Sequence, residues 1–586
     1  MGVEKSISGK YWSLHPYNEN LASEISRFLK IDDFLAKLVS RNVSSITEAI
    51  NFLDPKIKTL LPDPFHLKDM RKAVERTAKA IILKEKICIF ADYDVDGATS
   101  SAILKNLIGD LGVNTNIYVP DRIIEGYGPT PAAMQKIREQ GTKLVITVDC
   151  GSVAFDAIEY AAEIGLEVIV IDHHISLEVM PPAVAVINPN RMDETSEYKY
   201  LAAAGVSFLF AVGLCNYLKQ INFFHKYGIV IPDLMKHLDL VALGTVCDVM
   251  QLIGLNRAFV AQGLKIAKLR KNIGYTALCD LAAIEESPDC YHLGFILGPR
   301  INAGGRVGKS DLGATLLSTK SITEAQTIAS ELDKYNEERK VIELNIIQEA
   351  EEIAERQRDL PMLYIVGNGW HPGIIGIVAG RLKEKFNKPT AVITLMDGFG
   401  KASCRSVRGI DFGYKILAAR QKELIVSGGG HAMAAGFTVL ESKLQELESF
   451  FQAEFGKNME NSTMHLHNRY ELDLTTSAVN LNLIREISKL EPFGIGNPAP
   501  IFRFSNLYVL KADVVGIKHI KVIFSPIKDS YKSKPLAAIA FNSVGSEIGN
   551  ILMSRKAHKL SVLGKLKVNL WQGIENIQLI IEDIII

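Results

Sequence analysis

The stretch Ile87–Ser100, "ICIFADYDVDGATS", decides the fold, because it joins an apolar run to three acids at alternate positions and then to a helix-forming segment. The spelling D-x-D-x-D-G also opens a calcium-binding loop, which takes oxygen ligands at alternate positions, a Gly at the sixth and a bidentate Glu at the twelfth. Counted from Asp92, the twelfth residue is Ile103. A calcium loop also leaves a helix, whereas "ICIF" is a short apolar run bounded by charge and reads as a buried strand. The calcium reading therefore fails. What stays is Asp92, Asp94 and Asp96 at the C-terminal end of a strand, just before the helix "ATSSAILKNLIGDL", where open α/β sheets place their active sites.

Working outward, "TNIYVP", "KLVITV" and "LEVIVI" repeat the pattern of short apolar runs separated by amphipathic helices. That alternation predicts a doubly wound α/β domain, with a parallel sheet covered on both faces, over residues 68–320. The segment "SITEAQTIASELDKYNEERKVIELNIIQEAEEIAERQ" lacks turn signals and predicts a connecting helix over 321–356, roughly 50 Å long. A second α/β domain follows over 357–456, from "PMLYIVGNGWHPGIIGIVAGRL" to "GGGHAMAAGFTV". After the polar stretch "NMENSTMH", residues 463–586 break into short alternating runs that fit a small β-barrel such as an OB-fold, a common binder of single-stranded nucleic acid. Residues 1–67 read as a helical segment punctuated by Pro, with no chemistry attached.

Composition narrows the class. The chain has 586 residues, 66 basic against 66 acidic, so a nucleic-acid partner must be met by a local basic groove and not by net charge. Seven Cys without a C-x-x-C pair argue against a disulfide framework and a structural zinc site, and for a reducing cytoplasm. The uncharged run Tyr200–Leu218, "YLAAAGVSFLFAVGLCNYL", reaches the length of a short membrane span. Its Ala and Gly content, and its isolation, favour a helix buried in a core, with no membrane partner.

Two more strand ends carry metal-competent side chains. "LVITVDCG" ends in Asp149, and "VIVIDHH" in Asp172, His173 and His174, while "VALGTVCDVM" adds Asp248 from the end of a helix. In a parallel sheet these ends share one edge, so the acids converge and repel, and burial raises the cost of each charge. Divalent cations resolve the repulsion. Carboxylate and imidazole donors without thiolate suit Mn2+ or Mg2+, and a carboxylate to spare for bridging suggests two ions, an arrangement that activates water and stabilises a leaving oxygen in phosphate-ester hydrolysis.

In this order, "DYDVDG", "VDCG", "DHH" and "GTVCDV" resemble the four motifs of the DHH phosphoesterases, and "GGGHAMAAGF" resembles the glycine-rich motif of the accompanying DHHA1 domain. "PDRIIEGYGP", "LGPRINAGGRVG", "HPGIIGIVAGRL", "LEPFGIGNPAPIF" and the C-terminal strands are similar to the bacterial single-strand-specific exonuclease branch of that superfamily, and the resemblance covers roughly residues 60–586. It implies 5′ to 3′ release of mononucleotides from single-stranded DNA, Mn2+ or Mg2+ as cofactor, an OB-fold at the C-terminus, and a monomer working with a single-strand DNA-binding protein and a helicase. It also implies Asp94, Asp96, Asp149, His173 and Asp248 as ligands, Asp149 bridging, with Asp92 where shorter members carry a histidine. His174 would face the scissile phosphate and Asp172 would orient a neighbouring imidazole.

Phosphate handling follows partly from chemistry. Arg300 and Arg306 in "GPRINAGGR" flank what reads as a glycine-rich turn able to cradle a phosphate, and Arg122 follows another strand end. Ser403, Arg405 and the "GGGH" turn, Gly429, Gly430 and His431, offer a second such surface, and the matching motifs add Tyr127 and Asn302. The basic face Lys265–Asn272, "KIAKLRKN", reads as solvated surface. Two other functions compete: a DHH phosphodiesterase for short oligoribonucleotides or cyclic dinucleotides, disfavoured by the strands after 463, and an inactive DNA-binding relative, disfavoured by the complete set of acids.

Overall fold

The computed structural model describes every residue except 1–2, 123, 461–466, 529–533, 555–558 and 572–573, so most of the polar stretch 458–465 lies outside the described residues. The chain divides into two compact units, one of Pro62–Asp248 with Gly263–Thr463 and one of Met1–Leu61 with Val249–Gln262 and Met464–Ile586.

The first unit opens with a five-stranded parallel sheet: β1 (Ile87–Ala91), β2 (Thr115–Tyr118), β3 (Leu144–Val148), β4 (Glu167–Ile171) and β5 (Ala185–Ile187), in the order β2-β1-β3-β4-β5. Both β1 and β3 are buried at every residue, which is why neither alternates apolar with polar. Helix α1 (Val95–Asp110) starts where the Asp94 carboxylate accepts the N–H groups of Asp96 and Gly97, at 2.9 and 3.1 Å. Its first turn lies so close to the strand end that a Cβ on Gly97 would sit 2.4 Å from the Asp92 carbonyl oxygen. Strand β5 was not among the expected strands; at three residues it is too short to carry a pattern.

The uncharged run forms α2 (Ala203–Gln220), packed on α1 and on α3 (Leu238–Cys247) inside the core. Ala202 cannot cap α2 with its side chain; the Asp96 carboxylate does so instead, accepting from the N–H groups of Ala203 and Ala204 at 2.6 and 2.9 Å. Among the described residues no helix is long and apolar enough to cross a membrane.

The stretch expected as a glycine-rich turn is corrected by the structure: it is a helix, α4 (Gly298–Val307). Its glycines serve close packing, since a Cβ on Gly305 would lie 3.0 Å from the Tyr93 carbonyl oxygen and one on Gly304 2.8 Å from that of Lys309. The long helix α5 (Ile322–Arg356), capped by Ser321, packs on α4, on α6 (Ile375–Phe386) and on β6 (Leu363–Asn368). Strand β6 begins a second sheet with β7 (Thr390–Met396), β8 (Phe399–Arg405), β9 (Ser427–Gly430) and β10 (Ala434–Leu440), in the order β9-β10-β8-β7-β6. The "GGG" of the expected turn is thus strand β9, and the chain turns after it.

In the second unit β11 (Phe502–Val515), β12 (His519–Ser525), β13 (Leu536–Ala540), β14 (Leu560–Trp571) and β15 (Ile574–Ile585) pair in the order β11-β12-β13-β15-β14, and β14 pairs back on β11 to close a barrel. Closure removes the open edges. Residues 1–67, expected as a helical segment of their own, are corrected here. Tyr11–Leu14 is a strand that pairs with Glu4–Lys5 and, in parallel, with His467–Tyr470, and the helices that follow share the apolar core of the barrel. The Asp583 carboxylate, fully buried at the end of β15, accepts from Trp12 Nε1 at 2.9 Å and Ser8 Oγ at 2.5 Å. Trp12→Phe deprives that buried acid of a donor, and the expected loss is about 1–3 kcal/mol of this unit's stability in urea denaturation.

Candidate active site

Four segments deliver the acids and histidines to one place. Asp92 follows β1, Asp94 caps α1 and Asp96 stands in its first turn, Asp149 follows β3, and Asp172, His173 and His174 follow β4, while Asp248 closes α3. Three overlapping donor sets form, each with ligand atoms within 4.8 Å of one another: Asp92, Asp94 and Asp149; Asp96, His173 and Asp248; Asp149, His173 and His174. His173 Nε2 is central, 3.2 Å from Asp149, 3.5 Å from Asp248 and 3.8 Å from Asp96. Asp149 holds a left-handed backbone, φ 61°, a conformation that non-Gly residues keep where the surroundings demand it.

The electrostatics are those of acids crowded out of water. Burial, with the Asp94 charge added, raises the Asp96 carboxyl to about 7 against the two N–H groups that favour its ionised form. Burial and the charges of Asp96 and Asp94 push Asp248 up to about 9, and Asp149 and Asp92 are raised for the same reasons. Burial lowers His173 to about 4, with His174 adding to the effect, so its imidazole is neutral. Burial also opposes charge on His174, but the Asp172 carboxylate, 2.7 Å from Nδ1, outweighs it and raises the pKa to about 9.

These residues fit divalent cations on an independent ground. Asp92 Oδ1, Asp149 Oδ1 and His173 Nε2 are buried without a hydrogen-bond partner among the described residues, a costly state for three polar atoms gathered together. The backbone of Leu201 also interacts with the His173 ring. Each Asp96 oxygen accepts one N–H and keeps a second lone pair for an ion, while Asp94 accepts both of its N–H groups on Oδ1 and leaves Oδ2 for one.

Sequence reading missed the residues that hold this loop in place. Asn188 Nδ2 donates to Ser152 Oγ and to the His174 carbonyl, both at 2.8 Å, and Asn190 Nδ2 donates to the His173 carbonyl at 2.6 Å. Ser152 N–H in turn bonds Asp172 Oδ2 at 3.0 Å. The available signal was "INPN" after a short apolar run, the same strand-end logic that located the acids.

Beside the acids lies a cleft of about 500 Å³, lined by Arg122, Arg306, Ser403 and Arg405 together with the first residues of α6. The Arg122 guanidinium stacks 4.9 Å above the Tyr93 ring, between Asp92 and Asp94 in sequence, and so joins the cleft to the acids. Arg306 NH1 donates to the Gly373 carbonyl at 3.0 Å; burial, then repulsion by Arg122 and Arg339, lowers its pKa to about 10. Burial and Arg122 lower Arg405 too, and its NH1 lies 3.3 Å from Ser403 Oγ.

Other expected phosphate contacts are placed differently. Arg300 is engaged elsewhere, with Nε 2.9 Å from Asp333 on α5 and NH1 2.7 Å from the Ile296 carbonyl, because α4 turns it away from any loop. Asn302 Oδ1 accepts the Val95 N–H at 3.2 Å and so steadies the start of α1. Tyr127 hydroxyl donates to the Asp149 carbonyl at 3.2 Å and lies 3.4 Å from His174 Nδ1. Ser427 and Gly428 form the cleft wall, while Gly429 and Gly430 continue along β9 beyond it and the exposed His431 follows the strand. In the basic face Lys265–Asn272, Arg270 pairs with Asp280.

Comparison with known proteins agrees with this arrangement. Family descriptions match in three places: DHH family, N-terminal domain, over residues 86–245; DHHA1 domain over 359–457; and RecJ OB domain over 470–583. The chain is 33% identical to the single-stranded-DNA-specific exonuclease RecJ of Escherichia coli over 93% of its own length and 94% of that protein. It is 31% identical to RecJ of Bacillus subtilis, over 98% of its length and 70% of that protein. The crystal structure of RecJ in complex with Mn2+ from Thermus thermophilus superposes with a TM-score of 0.79 at 26% identity, covering 98% of this chain and 79% of that one.

Since Asn188 acts on the histidine loop without reaching the ligand atoms, Asn188→Ala is expected to weaken Mn2+ binding about tenfold, as lost outer contacts of ligands do. Calorimetric titration measures it, with circular dichroism as the check that the fold persists.

Proposed function

Because the chain belongs to the RecJ family of single-stranded-DNA-specific exonucleases, we propose that it hydrolyses single-stranded DNA from the 5′ end and releases 5′-mononucleotides. The observation that carries this reading is the group of buried, partnerless ligand atoms on Asp92, Asp149 and His173 next to an arginine-lined cleft. Asp94, Asp96, Asp149, His173 and Asp248, with Asp92, would hold a pair of Mn2+ or Mg2+ ions, and Asp149, which belongs to two of the three donor sets, would serve both. When bound, such ions activate water at neutral pH and offset charge that builds on phosphate oxygens.

The residues of this chain do the rest. Arg306, Arg405 and Ser403 grip the terminal 5′-phosphate and Arg122 spans from it toward the acids, so the first phosphodiester is presented to the metal ligands. His174, oriented by Asp172, contacts that phosphate. The oxygen of water bonds to phosphorus, the bond to the 3′ oxygen breaks, and the 3′ oxygen takes the proton. A mononucleotide leaves, and the shortened strand carries a new 5′-phosphate for the next round. The barrel, of a type that binds single strands, holds the rest of the substrate. The reading places the enzyme in the cytoplasm as a monomer that works with a single-strand DNA-binding protein and a helicase.

Asp149→Ala is expected to lose hydrolysis of end-labelled single-stranded DNA on the order of 10³-fold or more, while filter binding of the same strand is retained. Arg405→Ala should instead narrow the preference for a 5′-phosphorylated over a 5′-hydroxyl end, read as the ratio of kcat/KM on the two. An Asp149→Ala protein of ordinary activity, or an Arg405→Ala protein of unchanged preference, would remove the corresponding part of the reading.

A further inference from the structure

The cleft is larger and more positive than one terminal phosphate requires. Its volume of about 500 Å³ falls among pockets of roughly 300–1,000 Å³ that enclose whole small ligands. Among the described residues its lining holds four cations, Arg122, Arg306, Lys401 and Arg405, and no carboxylate. A phosphate monoester brings about −1.5 to −2 at neutral pH, which leaves part of that charge unmatched.

The surplus has a definite place. Residues 401, 403 and 405 share one face of β8, because side chains alternate along a strand. Ser403 pairs across the sheet with Gly436, and Lys401 pairs with Thr438, which pairs in turn with Ser427 of β9. Lys401, Thr438 and Ser427 therefore form a second row on the face that carries Ser403 and Arg405, displaced by two residues, about 6.5–7 Å. The alternate residues Ala435, Phe437 and Val439 are buried, whereas Lys401 and Ser427 are exposed and Thr438 is half-buried, and all three line the cleft. Lys401 is exposed and, among the described residues, has no ion-pair partner.

We propose that this row is a subsite for the outer phosphates of a 5′-polyphosphate, so that the enzyme also accepts strands ending in a 5′-triphosphate. Lys401 meets the outer phosphates as a charge and Thr438 and Ser427 as hydroxyl donors, while the arginines keep the phosphate nearest the sugar. This rests on the reading of the cleft as the terminal-phosphate site. The first turnover then differs from the rest. Water adds to the phosphorus of the second nucleotide, the bond to the first 3′ oxygen breaks and that oxygen takes the proton. The product is a nucleoside 5′-triphosphate, after which the strand carries a monophosphate and releases mononucleotides.

The test uses the full-length protein with Mn2+ and three oligodeoxynucleotides of one sequence ending in 5′-hydroxyl, 5′-monophosphate or 5′-triphosphate, with first-turnover products separated by ion exchange. The expected first product from the triphosphate end is the nucleoside triphosphate. Lys401→Gln should raise KM for that end about five- to tenfold, roughly one charge-assisted contact, with kcat and KM on the monophosphate end unchanged; Thr438→Val should act in the same direction. If the wild type degrades the monophosphate end but leaves the triphosphate end intact, or if Lys401→Gln affects both ends equally, the subsite is overturned while the exonuclease reading stands. If the wild type does not degrade the monophosphate end, the exonuclease reading itself falls. Inorganic tripolyphosphate separates a strand end from a loose ligand: inhibition relieved by Lys401→Gln supports the subsite, but inhibition with the triphosphorylated strand left intact gives the cleft to a free polyphosphate and overturns the strand-end assignment.

Discussion

Mutual repulsion among buried carboxylates is the constraint on which the first unit is arranged. Asp92, Asp96 and Asp149 are each at most 5% exposed and stand beside Asp94 and Asp248. Without a counter-charge the group relieves the repulsion by taking up protons, as the raised pKa values of Asp96 and Asp248 record. Helix starts supply part of the opposing charge. Asp94 caps α1 and Asp96 caps α2, so the acids that crowd the site also fix the two helices behind it. The remaining imbalance falls on atoms with no hydrogen-bond partner among the described residues, and it is there that a divalent cation would bind most favourably.

This arrangement ties the chemistry to the fold at several depths. A side chain at position 97 would collide with the Asp92 carbonyl, and one at position 244 would meet Asp96 Oδ1 at 2.8 Å, so backbone packing sets the spacing of the acids directly. The long helix α5 runs from α4, which carries Arg306, to α6, whose first residues line the cleft. The arginines and the acids are thereby set on one scaffold, joined by the Arg122–Tyr93 stack.

The sheet and the position of the site were legible because strand ends in a parallel sheet share one edge, and three of the short apolar runs, those of β1, β3 and β4, are followed directly by an acid. What local pattern could not convey was pairing at a distance. "YWSL" has only four residues to show a period, and its partner His467–Tyr470 lies some 450 residues further along the chain. The glycines of "GPRINAGGRV" were misread for a related reason: glycine marks both tight turns and close helix packing, and the neighbours that decide between them, Tyr93 and Leu332 among them, lie outside the local sequence. Arg300 inherited that error, since a side chain expected on a loop is instead fixed on a helix by Asp333.

The most direct test of the central claim, that the acids are arranged for a pair of cations, is calorimetric titration of the chelator-treated full-length protein with Mn2+. The account predicts two ions per chain in the wild type, with exonuclease activity on single-stranded DNA returning as the sites fill. A protein that binds no ion at this cluster, or that degrades single-stranded DNA at full rate in excess chelator, would contradict it.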